Sequence, residues 1–170
     1  ADIEKALPKL VKGGFYHAGQ VCVSVQRVYA HESIAKQLAE KIAEASKTLT
    51  VGDPTKENTD IGPLIRPNEV TRVNEWVQEA VSDGAELLCG GEPISETCYP
   101  CTVLYNPGEN TSVSKKEIFG PVVCVYSFTD IDEAIARANQ LPFSFQAAVF
   151  TKEIDTAMHA YKNLDASAVM

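Results

Sequence analysis

Thiolate chemistry needs a cysteine that is held in place yet reachable, and Cys22 has such a setting. The stretch from Phe15 to Arg27 reads Phe-Tyr-His-Ala-Gly-Gln-Val-Cys-Val-Ser-Val-Gln-Arg. Cys22 follows a flexible Gly19-Gln20 step and heads a run that alternates apolar and polar residues toward Val28, which predicts a turn-to-strand junction. A free cysteine is most often a small buried hydrophobe with an inert thiol. Residue type alone therefore leaves Cys22 open to either use.

Three other arrangements compete for a chemical role. Cys98-Tyr-Pro-Cys101 has the spacing of a redox dithiol, but Pro100 and the Val103-Leu-Tyr105 run put it at a strand rather than at a helix amino-terminus. Zinc would need a ligand set that His17, His31 and His159 do not form, since each lies far from any paired-cysteine spacing; no metal site is expected. His17 precedes Cys22 by five residues and reads as a surface or packing histidine. No GxGxxG follows a strand and no GxxxxGK[ST] occurs, so most of any nucleotide pocket lies elsewhere.

The elements that must position Cys22 follow from hydrophobic spacing. Ile3, Leu7, Leu10 and Val11 predict a helix over 2–12, ended by Gly13-Gly14. After a strand reaching Ala30, Ile34, Leu38 and Ile42 predict an amphipathic helix over 33–47, with Ser33 as its cap. Residues 51–67, rich in Gly and Pro, predict an ordered loop. Val70, Val73, Val77, Ala80 and Val81 predict the next helix, closed by Gly84, with Trp76 at the edge of its inner face.

Glu86–Cys89 and Tyr99–Tyr105 read as strands, and Pro100 argues that the second is an edge. Val122–Tyr126 is an unbroken apolar run, the pattern of a strand covered on both faces. Asp130 and Glu133 have capping-box spacing before a helix stopped by Pro142. Ala147–Phe150 reads as a strand, Ile154 to Tyr161 as a helix, and the last residues as a further strand. Strands alternating with helices predict an α/β domain with a parallel or mixed sheet, expected as a mostly parallel open sheet with helices on both faces.

Composition narrows the class. A chain of 170 residues with 45% hydrophobic residues is expected to form one domain with its own core. The net charge of −8, from 23 acidic and 15 dispersed basic residues, disfavours nucleic acid and anionic membranes as partners. The five spread cysteines, with no secretory signal and no apolar run of spanning length, point to a reducing, cytoplasmic setting. Both ends break inside patterns, so the chain is expected to be a piece of a longer protein.

Taken in order, Phe15-x-x-x-Gly19-Gln20-x-Cys22 with Arg27, Val51-Gly-Asp-Pro54, Asp60-Ile-Gly-Pro63-Leu64 and Glu117-Ile-Phe-Gly-Pro121 resemble the catalytic, carboxyl-terminal domain of the NAD(P)-dependent aldehyde dehydrogenases, over nearly all 170 residues. The Asn139–Phe150 segment is similar as well, although Ser144 stands where many members carry glycine. The resemblance implies that Cys22 is the nucleophile, that its backbone N–H helps hold the oxyanion, and that the reaction passes through a thiohemiacetal and a thioester.

It further implies that Glu117 holds the cofactor ribose by hydrogen bonds and Phe119 packs on the nicotinamide of NAD or NADP, with Lys116 in place of a second acid often found there. Val21 and Val23 would form an apolar mouth for a small aldehyde substrate. The Gly-rich cofactor domain, the glutamate base, the oxyanion asparagine and the oligomerisation strand of a dimeric or tetrameric homo-oligomer would all lie outside the chain. On that reading the isolated piece has little or no dehydrogenase activity. A thiol-regulatory domain of the same fold, sensing through Cys22 or the Cys98 and Cys101 pair, is the alternative.

Overall fold

Strand β4 (Val122–Phe128) is buried from Val122 through Tyr126, and the main sheet is built around it. The computed structural model describes residues 2–170. β1 (Arg27–His31) and β3 (Thr102–Tyr105) flank β4 in parallel, and β2 (Glu86–Cys89) adds to β3 antiparallel, giving the order β1-β4-β3-β2. This is the mostly parallel α/β sheet that the alternating pattern predicts. Parallel neighbours need crossovers, and the helices supply them.

Helices cover both faces, which is why β4 carries no polar alternation. On one face α1 (Ile3–Phe15) packs beside α2 (Glu32–Lys47), and α2 touches all four strands of the sheet through a stripe containing Ala35, Leu38, Ala39, Ile42 and Ala43. On the other face the Tyr126 hydroxyl meets Ser114 Oγ of the short α4 (Ser112–Lys115) at 2.7 Å. There α3 (Pro67–Ser82) lies against α4 and buries Val70, Val73, Val77 and Ala80. Trp76 is half-buried at its margin, as its position predicts.

Helix α5 (Ile131–Ala138) begins at Asp130, whose carboxylate accepts from the N–H groups of Asp132 and Glu133. Glu133 does not complete a reciprocal box and faces Arg137 instead. A separate two-stranded ribbon pairs β5 (Gln146–Ala147) with β6 (Ala168–Val169), with α6 (Ile154–Asn163) between them in sequence.

Several boundaries differ from expectation, each for a tertiary reason. α1 continues through Gly13 and Gly14 to Phe15. Gly14 is a close-packing site: a Cβ there would stand 2.4 Å from Val123 Cγ2. β1 starts only at Arg27, because the chain before it is committed to turn bonds, Ser24 N–H to the Val21 carbonyl (2.9 Å) and Val25 N–H to the Gly13 carbonyl (3.0 Å). β3 is an interior strand, not an edge, and starts at Thr102, so Pro100 precedes the ladder and costs it no donor. His31, not Ser33, caps α2, with Nδ1 accepting from Ser33 N–H. The strand expected over Ala147–Phe150 starts one residue earlier and pairs in register at Gln146 and Ala147, with a further bond from Val149 N–H to the Met170 carbonyl (2.8 Å).

Candidate functional site

One residue beyond α1, after Tyr16, the backbone turns left-handed for three residues. His17 (φ 51°), Ala18 (φ 56°) and Gly19 (φ 69°) follow one another, and only the glycine takes that conformation without a steric penalty. Such strain persists where the surroundings over-determine it, and it concentrates at functional sites. Ala18 is fully buried, and Gly19 packs so closely on the Gly120-Pro121 peptide that a Cβ at 19 would lie 2.0 Å from the Gly120 carbonyl oxygen. The turn thus fixes the Cys22 loop to the Glu117–Pro121 loop.

Gln20 ties the same turn to the 60–65 loop. Its Nε2 donates to the Pro63 carbonyl (3.2 Å), and its Oε1 accepts from Ile65 N–H (3.0 Å). On the far side of Cys22, Ser24 Oγ donates to the Gly13 and Gly14 carbonyls, which α1 leaves free in its last turn. The loop is therefore anchored at both ends while the Cys22 side chain is exposed. Val21 is half-buried and Val23 exposed beside it.

The second loop is held as firmly. Ile118 is fully buried between exposed Glu117 and Phe119, so it plugs the loop into the protein while its two neighbours project. Arg72 Nη2 donates to the Ile118 carbonyl at 2.7 Å, and Gln26 bonds the backbone on either side of Glu117. Phe119 has φ 49° and leaves 43% of its surface exposed, an unusual position for an apolar ring. Cys22, Val21, Val23, Glu117 and Phe119, the residues singled out in the sequence, line one cleft of about 1240 Å³ with Gly19. The cleft continues over an apolar surface that includes Phe143, Phe145 and Phe150.

Other candidates are not drawn into this cleft. His17 is exposed, its ring edge-on to Tyr16 at 4.2 Å between centroids. Cys101 is buried, and burial pushes its thiol up to about 12, which removes the thiolate that a dithiol exchange requires at neutral pH. Among the described residues no group of three or more His, Cys, Asp or Glu side chains is placed to hold a metal ion. Likewise, no helix among them is long and apolar enough to cross a membrane. Sequence reasoning missed Gln26 and Arg72 as supports. Their only signal was a long polar side chain at the end of a strand-like run and on a helix.

The family model described as "Aldehyde dehydrogenase family" matches residues 1–170. The chain belongs to the aldehyde dehydrogenase family. The 3-sulfolactaldehyde dehydrogenase of Priestia aryabhattai is 39% identical over 170 residues, covering all of this chain and 35% of that protein. A glyceraldehyde-3-phosphate dehydrogenase from Methanocaldococcus jannaschii, solved with NADP, superposes with a TM-score of 0.94 at 35% identity, over 100% of this chain and 37% of that one. Betaine aldehyde dehydrogenase from Staphylococcus aureus, solved with NAD+, gives 0.92 at 28% identity, over 99% and 35%. The chain thus spans about a third of the length of these relatives.

Proposed function

We propose that this chain carries the nucleophile and part of the nicotinamide-side wall of an NAD- or NADP-dependent aldehyde dehydrogenase, with Cys22 as the attacking residue. The observation that carries the reading is the close backbone packing of the Cys22 loop on the Glu117–Pro121 loop at Gly19 and Gly120, which sets Cys22, Glu117 and Phe119 on the wall of the same cleft.

In this reading the Cys22 thiolate adds to the aldehyde carbon. The new C–S bond places the carbonyl electron pair on oxygen, and the Cys22 backbone N–H is one donor for the oxyanion. When NAD or NADP is bound, its nicotinamide ring supplies the acceptor for the hydride that leaves the same carbon. Cys22 is then left as a thioester, which water attacks; the C–S bond breaks, the acid leaves and the Cys22 thiol is regenerated. Sulfur suits both halves because its thiolate adds readily and leaves readily.

Glu117 and Phe119 fit the cofactor by the chemistry of their groups. An exposed carboxylate offers only acceptors, which match ribose hydroxyls, and a ring held outward on a left-handed backbone offers a packing surface for a flat heterocycle. Val21 and Val23 give the substrate approach an apolar character. The 170 residues hold no Gly-rich phosphate loop, and the base and second oxyanion donor are assigned by resemblance to sequence outside them. The chain alone is therefore proposed to turn over aldehyde slowly or not at all.

Competitive labelling with iodoacetamide, read site by site by mass spectrometry, tests the assignment. Cys22 is expected to react first; uniformly slow labelling, or fastest labelling at Cys98 or Cys101, would overturn it. NAD(P)-dependent turnover by the 170-residue chain that disappears in Cys22→Ala would overturn the inactivity of the piece while upholding the nucleophile.

A further inference from the structure

The carboxamide of Gln26 makes three hydrogen bonds to α4 and the loop that follows it: Nε2 donates to the carbonyls of Val113 (3.0 Å) and Lys116 (2.7 Å), and Oε1 accepts from Ile118 N–H (2.9 Å). Two carbonyls and one N–H admit a single orientation of the amide, so the site recognises the loop's backbone pattern. The Lys116 carbonyl and the Ile118 N–H flank Glu117. One side chain therefore clasps the backbone immediately before and after that carboxylate, as a neighbouring strand would.

Gln26 is also rigidly linked to the nucleophile loop. It lies four residues after Cys22, and its own carbonyl accepts from Cys124 N–H of β4 at 2.8 Å. From the opposite side Arg72 Nη2 takes the Ile118 carbonyl at 2.7 Å, so the Ile118 residue is gripped at both its N–H and its C=O. Arg72 is in turn held by Glu69 and lies over Trp76, with the Lys116 ammonium over the same ring at 5.1 Å. Trp76 is the only tryptophan in the chain, so it senses this loop directly.

The geometry points to Gln26 as a positioning residue that sets Glu117 and Phe119 relative to Cys22, a role that rests on the proposed function of those three. Gln26 touches no reacting atom. Its contribution is to fix where the carboxylate and the ring stand, because Ile118 cannot shift register while both its peptide groups are bonded. Without the clasp, the strained Phe119 backbone loses part of what over-determines it.

The test compares the 170-residue chain with Gln26→Met, which keeps length and removes all three bonds, and Gln26→Glu, which keeps the acceptor for Ile118 N–H and loses both donors. Amide exchange by NMR is expected to rise about tenfold or more at Ile118 in Gln26→Met. Val123 and Val125 of β4 should stay within about twofold, and Gln26→Glu, whose second oxygen would face the Val113 and Lys116 carbonyls, should leave Ile118 exchange raised. Trp76 emission should shift in Gln26→Met. Unchanged Ile118 exchange, or an equal rise at Ile118 and in β4, overturns the assignment.

Should Gln26→Met not fold, Gln26→Ser truncates the carboxamide and removes the same three bonds, and unchanged Ile118 exchange in that variant would equally overturn the assignment. Cys22 labelling on the same samples separates the two readings. Slow labelling of Cys22 with a loosened Ile118 defeats the nucleophile assignment, and with it any catalytic meaning of the clasp. Fast labelling with unchanged Ile118 defeats the clasp alone.

Discussion

Gly19 and Gly120 meet backbone to backbone, with room for no more than hydrogen between the Gly19 Cα and the Gly120 carbonyl. The contact joins the segment bearing Cys22 to the segment bearing Glu117 and Phe119. Gly19→Ala would bring a methyl group to 2.0 Å from a backbone oxygen at a φ of 69°. Backbone cannot swing aside as a flexible side chain can. The variant is expected to lose about 2–4 kcal/mol of stability in urea denaturation, and Cys22 labelling should change with it because the two loops part.

Gly14 presents a gentler version of the same constraint. A Cβ there would press on Val123 Cγ2 at 2.4 Å, a side chain rather than backbone, although one in the fully buried centre of β4. Gly14→Ala is expected to cost about 1–3 kcal/mol. In a Val123→Ala background the clash is gone, so the double variant should be more stable than the sum of the single effects by at least about 0.5 kcal/mol. Thermal or urea unfolding of the four proteins closes this cycle.

Arg27 ties the strand that follows the cysteine loop to the end of α5. Its guanidinium donates to the Arg137 carbonyl (3.4 Å), the Ala138 carbonyl (3.2 Å) and the Tyr29 hydroxyl (3.1 Å), so it supplies a donor to the Ala138 carbonyl and adds a second one to the Arg137 carbonyl, which already accepts from Gln140 N–H (3.3 Å). Arg27→Met keeps much of the apolar stem and removes the donors. We expect a loss of about 1–3 kcal/mol, with amide exchange rising first in residues 135–139 and leaving α3 protected.

The buried thiols make alkaline pH destabilising. Burial pushes Cys101 and Cys124 from an ordinary value of 9.0 up to about 12, because an apolar setting disfavours the thiolate. Between these values the unfolded chain has released those protons and the folded chain still holds them. Unfolding is therefore favoured increasingly as pH rises: the stabilisation is intact below pH 9 and is lost progressively toward pH 12. Each thiol contributes a slope of up to about 1.4 kcal/mol per pH unit. Urea midpoints from pH 7 to 11 should be flat and then fall, and Cys124→Ala should soften the fall.

Much of the fold could be read in one dimension because it is governed by local periodicity. The four-residue spacing of Ile34, Leu38 and Ile42 reports a face that must be covered, and α2 covers the sheet with it. The unbroken Val122–Tyr126 run reports a strand covered twice, and β4 is that strand. Asp130 acts as a cap wherever its helix docks, since its partners are two and three residues away. The residue types around Cys22, together with their resemblance to a family, also marked out the Cys22 loop as the candidate site.

What the linear pattern could not reveal is which residue meets which across long separations. Gly13-Gly14 resembles a helix stop, yet the helix runs on, because the missing Cβ of Gly14 is filled by Val123, more than a hundred residues away. Pro100 resembles an edge mark, yet β3 is interior, because the ladder starts two residues later. Gln26 showed only a polar type; its three bonds reach residues 87 to 92 positions along the chain. The sequence by itself determined the elements, the family and an exposed-loop cysteine, since those follow from local spacing and residue chemistry. Only the tertiary structure decided that Cys22, Glu117 and Phe119 share one cleft, since that depends on close backbone approach at Gly19 and on hydrogen bonds that exist only once the distant loops have met.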